Sequence, residues 1–138
     1  MKSINQRVKI QEVYRVGRSR SGLGLFAVAP IKKGEFVIEY TGEKLSNREV
    51  EERNSKYFFS LNSRWTIDGS DRKNVSRYLN HSCRPNCEAV IEDGKNIMIY
   101  AVRNIRPGEE LTYDYGQEYF KEYIKPLGCR CDYCQRKK

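Results

Sequence analysis

Residues 80–87 read Asn-His-Ser-Cys-Arg-Pro-Asn-Cys, and this stretch carries most of the information about the fold of the chain. It holds the only histidine and two of the five cysteines, while the other three form a Cys-x-Cys-x-x-Cys at 129–134. Between them, residues 111–116 read Leu-Thr-Tyr-Asp-Tyr-Gly. Imidazole, thiol and phenol groups commonly bind metals or move protons, so these stretches are the first candidates for a functional site.

The same pattern continues in both directions along the chain. It includes Gly-Leu-Gly-Leu-Phe-Ala (22–27), Ile-Glu-Tyr-Thr-Gly-Glu (38–43), Asn-Val-Ser-Arg-Tyr-Leu (74–79) and Pro-Gly-Glu-Glu (107–110). In this order, the elements resemble the SET domain of protein lysine methyltransferases over about residues 12–136. The resemblance implies a mainly β fold of the α+β class, built from small curled sheets with a C-terminal pseudoknot. It also implies three parts: an N-terminal extension (1–11), the SET domain (12–116) and a post-SET zinc segment (117–138).

Local patterns in the sequence predict short strands and few helices. Strands are expected at 36–40 and 111–115, in hairpins at 57–61 with 65–67 and at 89–91 with 97–102, and over the strand-like Ser76–Leu79. Asp93-Gly94 suits the positive φ values of a tight hairpin turn. Helices are expected at 47–53, after the capping box formed by Ser46 and Glu49, and at 117–125, where Pro126 ends the helix.

Composition limits the classes of protein that the chain can belong to. The 138 residues suffice for one domain with its own core, and no apolar run approaches the length that spans a bilayer. We therefore expect an intracellular protein: in the nucleus or on the chromosome of a eukaryote, in the cytoplasm of a prokaryote, or secreted into a host cell as an effector. The 26 Lys and Arg exceed the 18 Asp and Glu, for a net charge of +8. This surplus can contact nucleic acid or simply form a solvated basic surface, and charge alone favours the second.

Three cysteines within six residues indicate a metal site. Thiolates this close repel one another unless a cation holds them, and zinc takes four ligands, so Cys83 or Cys87 is expected to complete the set. The resemblance implies one structural zinc ion bound by Cys83, Cys129, Cys131 and Cys134. Cys87 is then a small, half-buried core residue. A set of four cysteines leaves no open position for catalysis.

The resemblance implies S-adenosyl-L-methionine as the methyl donor. The residues that it implies for cofactor binding are Arg20, Gly22, Leu23, Gly24, Arg77, Tyr78, Asn80, His81, Tyr115, Leu127 and Arg130. Gly22-x-Gly24 alone is weak evidence for a dinucleotide site, because no third glycine or following helix completes a Rossmann unit. Asn80 and His81, taken singly, are also compatible with a buried amide that binds a loop backbone and with a core histidine.

The catalytic residues implied by the resemblance are three tyrosines. Tyr115 is the first candidate, because its hydroxyl would orient the lysine amine and interact with charge developing at the methyl group. Tyr113 occupies the family's Phe/Tyr switch position, and Tyr57 matches an aromatic residue of the lysine channel. The alternative for all three is packing in the core, since the chain contains ten tyrosines.

Two functions from different classes follow. The first is a protein-lysine N-methyltransferase that uses S-adenosyl-L-methionine and makes mainly mono- or dimethyllysine, with a histone tail as the leading substrate. The second is a catalytically silent SET-like module that binds chromatin or nucleic acid through its basic surface. The Asn80-His81 pair and Tyr115 are all present, which favours the enzyme.

Overall fold

The computed structural model describes residues 13–20 and 22–137, which form two compact units. The terminal unit comprises residues 13–35, 78–88 and 101–137, and the central unit comprises 36–77 and 89–100. The predicted N-terminal extension lies outside the described residues. None of the helices in the described ranges has the length and apolar character needed to cross a membrane.

Short strands account for most of the regular structure. They are β1 (Tyr14–Ser19), β2 (Gly22–Ala27), β3 (Phe36–Tyr40), β4 (Glu43–Ser46), β5 (Phe58–Ser60), β6 (Trp65–Asp68), β7 (Asn80–His81), β8 (Cys87–Glu92), β9 (Asn96–Ala101) and β10 (Glu110–Tyr113). The helical segments are α1 (Asn47–Glu52), a 3₁₀ turn (Val75–Tyr78), α2 (Gln117–Tyr119), a π-helical segment (Phe120–Ile124), a second 3₁₀ turn (Lys125–Leu127) and α3 (Asp132–Lys137). The mainly β class predicted from the sequence is confirmed.

The terminal unit contains one sheet, with strand order β1-β2-β10-β7. Strand β10 pairs antiparallel with β2 and parallel with β7, so a late segment of the chain lies between two earlier ones. Leu111 and Tyr113 on β10 are buried, in the alternating pattern of a strand with one face in a core. The buried Asn86 fixes this position: its Nδ2 donates to the Glu110 carbonyl (2.8 Å), and its Oδ1 accepts from the Thr112 N–H (2.9 Å).

The central unit contains two sheets, ordered β3-β9-β8 and β4-β6-β5. The hairpins predicted at 57–67 and 89–102 are present, and Asp93 and Gly94 take positive φ values of 55° and 65°. The capping box at the start of α1 is also present, since Ser46 accepts from the Glu49 N–H and Glu49 accepts from the Ser46 N–H. Local turn and cap chemistry therefore behaves here as the sequence predicts.

The expected strand at Ser76–Leu79 is wrong, because residues 75–78 form a 3₁₀ turn. The buried Asn74 explains the difference. Its backbone carbonyl accepts from the Arg77 N–H (3.1 Å). Its side-chain Oδ1 accepts from the Thr41 N–H (3.0 Å) and from the Ser76 hydroxyl. These bonds favour a tight turn over an extended backbone.

The single helix predicted at 117–125 is only partly correct. The segment changes geometry from α to π at Phe120 and to 3₁₀ at Lys125, and Pro126 lies inside the last turn instead of ending the helix. Proline is tolerated there because the first turn of a helical segment needs no N–H from it. Gly128, with a φ of 85°, ends the run.

Candidate active site

Asn80 lies at the centre of a hydrogen-bonded group in the terminal unit. Its Nδ2 lies 2.7 Å from Glu110 Oε2, 3.0 Å from Ser19 Oγ and 3.0 Å from the Leu23 carbonyl. An amide nitrogen has only two hydrogens, so three surrounding acceptors determine which way the group faces. The carbonyl oxygen of Asn80 must then point away from this group, where it can accept a hydrogen bond from a ligand.

The Glu110 carboxylate occupies the space beside Gly24. A Cβ atom on Gly24 would lie 2.5 Å from Glu110 Oε2, so a larger residue would displace the carboxylate. Burial raises the pKa of Glu110, although the hydrogen bond from Asn80 partly opposes this. The sequence predicted Gly24 as a cofactor-binding residue. It did not predict Glu110 as a site residue, even though Glu110 lies within a family motif.

His81 contacts two other parts of the site through its two ring nitrogens. Nδ1 accepts from the Tyr115 N–H (3.1 Å), and Nε2 lies 3.4 Å from Cys83 Sγ. Burial lowers the pKa of His81, while Asp114, with Oδ1 3.7 Å from Nδ1, acts in the opposite direction. The ring also packs against Tyr115 and Phe120, at centroid distances of 5.5 and 5.4 Å.

Tyr115 is held by both its backbone and its hydroxyl. The hydroxyl donates to the carbonyl of Leu79, the residue before Asn80. Its ring lies between those of Tyr113 and Tyr119, each at a centroid distance of 4.9 Å. The segment at 79–81 therefore meets the residues that directly follow β10. The sequence identified no role for Tyr119 beyond a helix, because its contact with the Tyr115 ring is a tertiary contact.

The remaining predicted cofactor residues have different surroundings. Leu23 and Leu127 present apolar side chains to solvent, with exposures of 50% and 89%. Gly22 has a φ of 106° at the turn into β2, and Tyr78 and Arg130 also lie in the terminal unit. Arg20 forms an ion pair with Asp132 at the start of α3, 3.0 Å from Nε to Oδ1. Of the two leucines, Leu23 adjoins the oriented amide, since its carbonyl accepts from Asn80 Nδ2.

Tyr57 and Arg77 lie in the central unit. The Arg77 guanidinium lies 4.5 Å from the centroid of the Tyr57 ring, and the Lys56 ammonium lies 5.5 Å from it. Tyr57 also lines an open cavity of about 410 Å³ together with Asp68 and Ser70. The channel role of Tyr57 and the cofactor role of Arg77 stay predictions.

The four cysteines predicted to bind metal converge in the terminal unit. Their sulfurs all lie within 4.8 Å of one another, with Cys83 Sγ 3.9 Å from Cys129 Sγ and 3.5 Å from Cys134 Sγ. A zinc–sulfur distance of about 2.3 Å gives a tetrahedron with edges of about 3.8 Å. The set therefore fits a zinc ion. Cys87 is fully buried, at 1% exposure, and not half-buried as predicted.

The pKa values of these thiols shift in different directions. Burial raises the pKa of Cys83 above its usual range, hydrogen bonds to Cys134 and Cys129 add to the shift, and burial raises that of Cys129 to about 11. Burial also acts to raise the pKa of Cys131, but N–H donors of Cys83 and Cys134 outweigh it and lower the value to about 7. Thiols this close cannot all ionise together unless a cation replaces the protons.

Comparison with known proteins gives one family. A family model described as SET domain matches residues 22–116. "Histone-lysine N-methyltransferase trithorax" of Drosophila virilis is 36% identical over 143 aligned residues, covering 92% of this chain and 4% of the relative. The "Histone-lysine N-methyltransferase, H3 lysine-4 specific" of Schizosaccharomyces pombe is 40% identical over 121 residues, which cover 79% of this chain and 13% of the relative. The protein of the same name from Kluyveromyces lactis is 37% identical over 142 residues, which cover 94% of this chain and 14% of the relative. The chain thus spans a small part of these relatives' lengths.

Proposed function

Because the chain belongs to the SET domain family, we propose that it is a protein-lysine N-methyltransferase that uses S-adenosyl-L-methionine. The observation that carries this proposal is the junction of residues 79–81 with Tyr115. There, an oriented amide and a buried imidazole on β7 adjoin a tyrosine that lies two residues beyond the end of the neighbouring strand β10. The relatives named as histone-lysine N-methyltransferases support it.

Asn80, Leu23 and Leu127 are the residues that support cofactor binding most directly. The amide carbonyl of Asn80 faces away from its three acceptors and can accept from a ligand amine. The exposed side chains of Leu23 and Leu127 offer apolar surface for a purine ring. S-adenosyl-L-methionine would supply a methyl group already activated on a sulfonium sulfur.

Tyr115 would orient the incoming amine. Its hydroxyl proton is held by the Leu79 carbonyl, so the phenol oxygen offers lone pairs and not a proton to a ligand. Such an acceptor can hold a lysine N–H and can stabilise positive charge as it develops at the methyl group. The rings of Tyr113 and Tyr119 would exclude water and favour the neutral amine by desolvation.

One structural zinc ion would be held by Cys83, Cys129, Cys131 and Cys134. It would anchor the post-SET segment to the end of the 80–83 segment and so join the C-terminus to the cofactor site. With all four positions taken by sulfur, the metal would take no part in methyl transfer.

The leading substrate is a lysine in a histone tail, which the names of the relatives favour. Tyr113 as the switch residue favours mono- and dimethyllysine as products. A histone substrate would place the protein on the chromosome, in the nucleus where there is one, or in a host cell if it is a secreted effector.

The test is methyl transfer with labelled S-adenosyl-L-methionine, using purified histones and cell lysate as acceptors and mass spectrometry to locate the modified side chain. We expect label on lysine in the wild-type protein and label at a rate lower by about 10²-fold or more in Tyr115→Phe. Salt-dependent nucleic-acid binding without any transfer of label would instead favour the silent binding module.

A further inference from the structure

A single imidazole contacts both the cysteine cluster and the backbone of the catalytic tyrosine. His81 Nε2 lies 3.4 Å from Cys83 Sγ, and Nδ1 accepts from the Tyr115 N–H at 3.1 Å. We propose that His81 is a positioning residue that transmits the state of the cysteine cluster to the backbone of Tyr115. The inference rests on the zinc site proposed above but not on methyl transfer.

Hydrogen bonding determines which nitrogen of His81 carries the proton. Since Nδ1 accepts from Tyr115, the ring proton lies on Nε2 and faces the Cys83 sulfur. An N–H donor stabilises a metal-bound thiolate and fixes its direction, as outer partners of metal ligands commonly do. Only 6% of the His81 side chain is exposed, so the ring has little room to turn away.

Tyr115 in turn depends on the segment that carries His81. Its N–H is bonded to the His81 ring, its hydroxyl to the Leu79 carbonyl, and Tyr113 pairs with His81 in the parallel β7–β10 ladder. A shift of Cys83 after loss of the metal would therefore move His81 and break its hydrogen bond with the Tyr115 N–H. The backbone of Tyr115 would then be held less firmly, while its hydroxyl keeps the bond to the Leu79 carbonyl.

Two substitutions separate the two contacts of the ring. His81→Asn retains an acceptor at the δ position, for Tyr115, and lacks a group at the ε position. His81→Gln can place an amide N–H near Cys83 and lacks the δ acceptor. His81→Phe retains the ring packing and lacks both polar contacts, so it measures the part due to shape alone.

Zinc affinity is measured by competition with a chromophoric chelator, and the Tyr115 N–H is followed by NMR in protein labelled with ¹⁵N-tyrosine, with Tyr115→Phe as the assignment control. We expect zinc affinity to fall roughly ten- to hundredfold in the Asn and Phe variants and to be largely retained in the Gln variant. The Tyr115 N–H should keep its hydrogen-bonded shift in the Asn variant and move upfield in the other two.

Wild-type protein provides a readout that needs no variant to fold: the Tyr115 N–H should shift when zinc is stripped and return when zinc is restored. An unchanged Tyr115 signal, equal zinc affinity in wild type and His81→Asn, or a wild-type protein that takes up no zinc would each overturn the proposal. Neither measurement uses methyl transfer, so a negative methylation assay would not affect this outcome.

Discussion

The hydroxyl of Tyr115 donates to the backbone carbonyl of Leu79, two residues before His81. A hydroxyl has one proton, so this bond determines what Tyr115 can offer to a ligand, namely the lone pairs of its oxygen. The contact also connects the segment just after β10 to the residue just before β7, outside the residues that pair in the ladder. The direction of the Tyr115 hydroxyl and the local structure thus depend on the same bond.

Replacing Tyr115 with phenylalanine should abolish most of the activity while leaving the fold intact. The variant keeps the ring contacts with Tyr113 and Tyr119 but loses the oxygen that would hold the amine. We expect turnover to fall about 10²-fold or more, with a loss of stability of about 1 kcal/mol from the unpaired Leu79 carbonyl. Steady-state kinetics and thermal unfolding check both. Tyr123→Phe, which removes a hydroxyl from a half-exposed ring, is the control, and wild-type turnover in Tyr115→Phe would exclude the assigned role.

Replacing Tyr113 with phenylalanine should change the products more than the rate. Tyr113 is buried, at 7% exposure, and its ring lies 4.9 Å from that of Tyr115. Removing the hydroxyl frees space for an amine that already carries methyl groups, so trimethyllysine should appear where wild type stops at one or two. Mass spectrometry of a substrate peptide after exhaustive reaction measures the distribution. An identical distribution in both proteins would contradict the switch role.

Removing the Glu110 carboxylate should weaken cofactor binding through Asn80. In Glu110→Ala, the Asn80 amide loses its closest acceptor, at 2.7 Å, and gains freedom to rotate. Glu110→Gln still offers an oxygen at that place and should bind nearly as wild type does. We expect a loss of about tenfold in cofactor affinity for the Ala variant, in line with about 1.4 kcal/mol for one charge-assisted hydrogen bond. Calorimetry measures the cofactor affinity of both variants. Equal affinity in Glu110→Ala and wild type would show that the carboxylate does not orient Asn80 for cofactor binding.

Much of the fold was predictable because its signals are local. The positive φ values at Asp93-Gly94 need only those two residues, and the Ser46–Glu49 capping box closes within four residues. The closely spaced cysteines at 129–134 predicted a metal site for a different reason, since such thiolates have few stable arrangements other than around a metal. The choice of Cys83 over Cys87 as the fourth ligand came from the family resemblance.

The features that the sequence did not predict depend on distant contacts. Residues 75–78 form a turn because the buried side chain of Asn74 bonds to Thr41, which no local pattern reveals. Glu110 orients Asn80 across the sheet, and Tyr119 packs its ring edge-on against Tyr115, a tertiary contact that no local pattern reveals. In each case the tertiary partner, and not the local propensity, decides the outcome.

Removing a zinc ligand should destabilise the protein far more than removing the fifth cysteine. Cys134→Ser breaks the four-sulfur set, whereas Cys87→Ala changes a buried thiol outside it. We expect one zinc per chain in wild type and in Cys87→Ala, and none in Cys134→Ser, with an unfolding midpoint lower by on the order of 10 °C. Metal analysis and thermal unfolding with and without chelator give the result. A chelator that leaves the wild-type midpoint unchanged would show that no structural metal is bound.

Asp68 should make the stability of the protein depend on acid pH. Burial raises the pKa of its carboxyl, but hydrogen bonds from Ser70, Ser55 and Arg53 outweigh burial and hold the pKa below its usual value. A lowered pKa in the folded state stabilises the fold at pH values above the unfolded pKa of about 3.9, and this contribution is lost as the pH falls through the folded value. Asp68→Asn should therefore lower the free energy of unfolding by about 2 kcal/mol at pH 7, and the difference from wild type should shrink below about pH 4. Urea unfolding between these pH values measures the free energy of unfolding of both proteins. Glu51→Gln, on the exposed surface of α1, removes the same charge and is the control. A difference that stays constant or grows towards low pH would contradict the assigned role of Asp68.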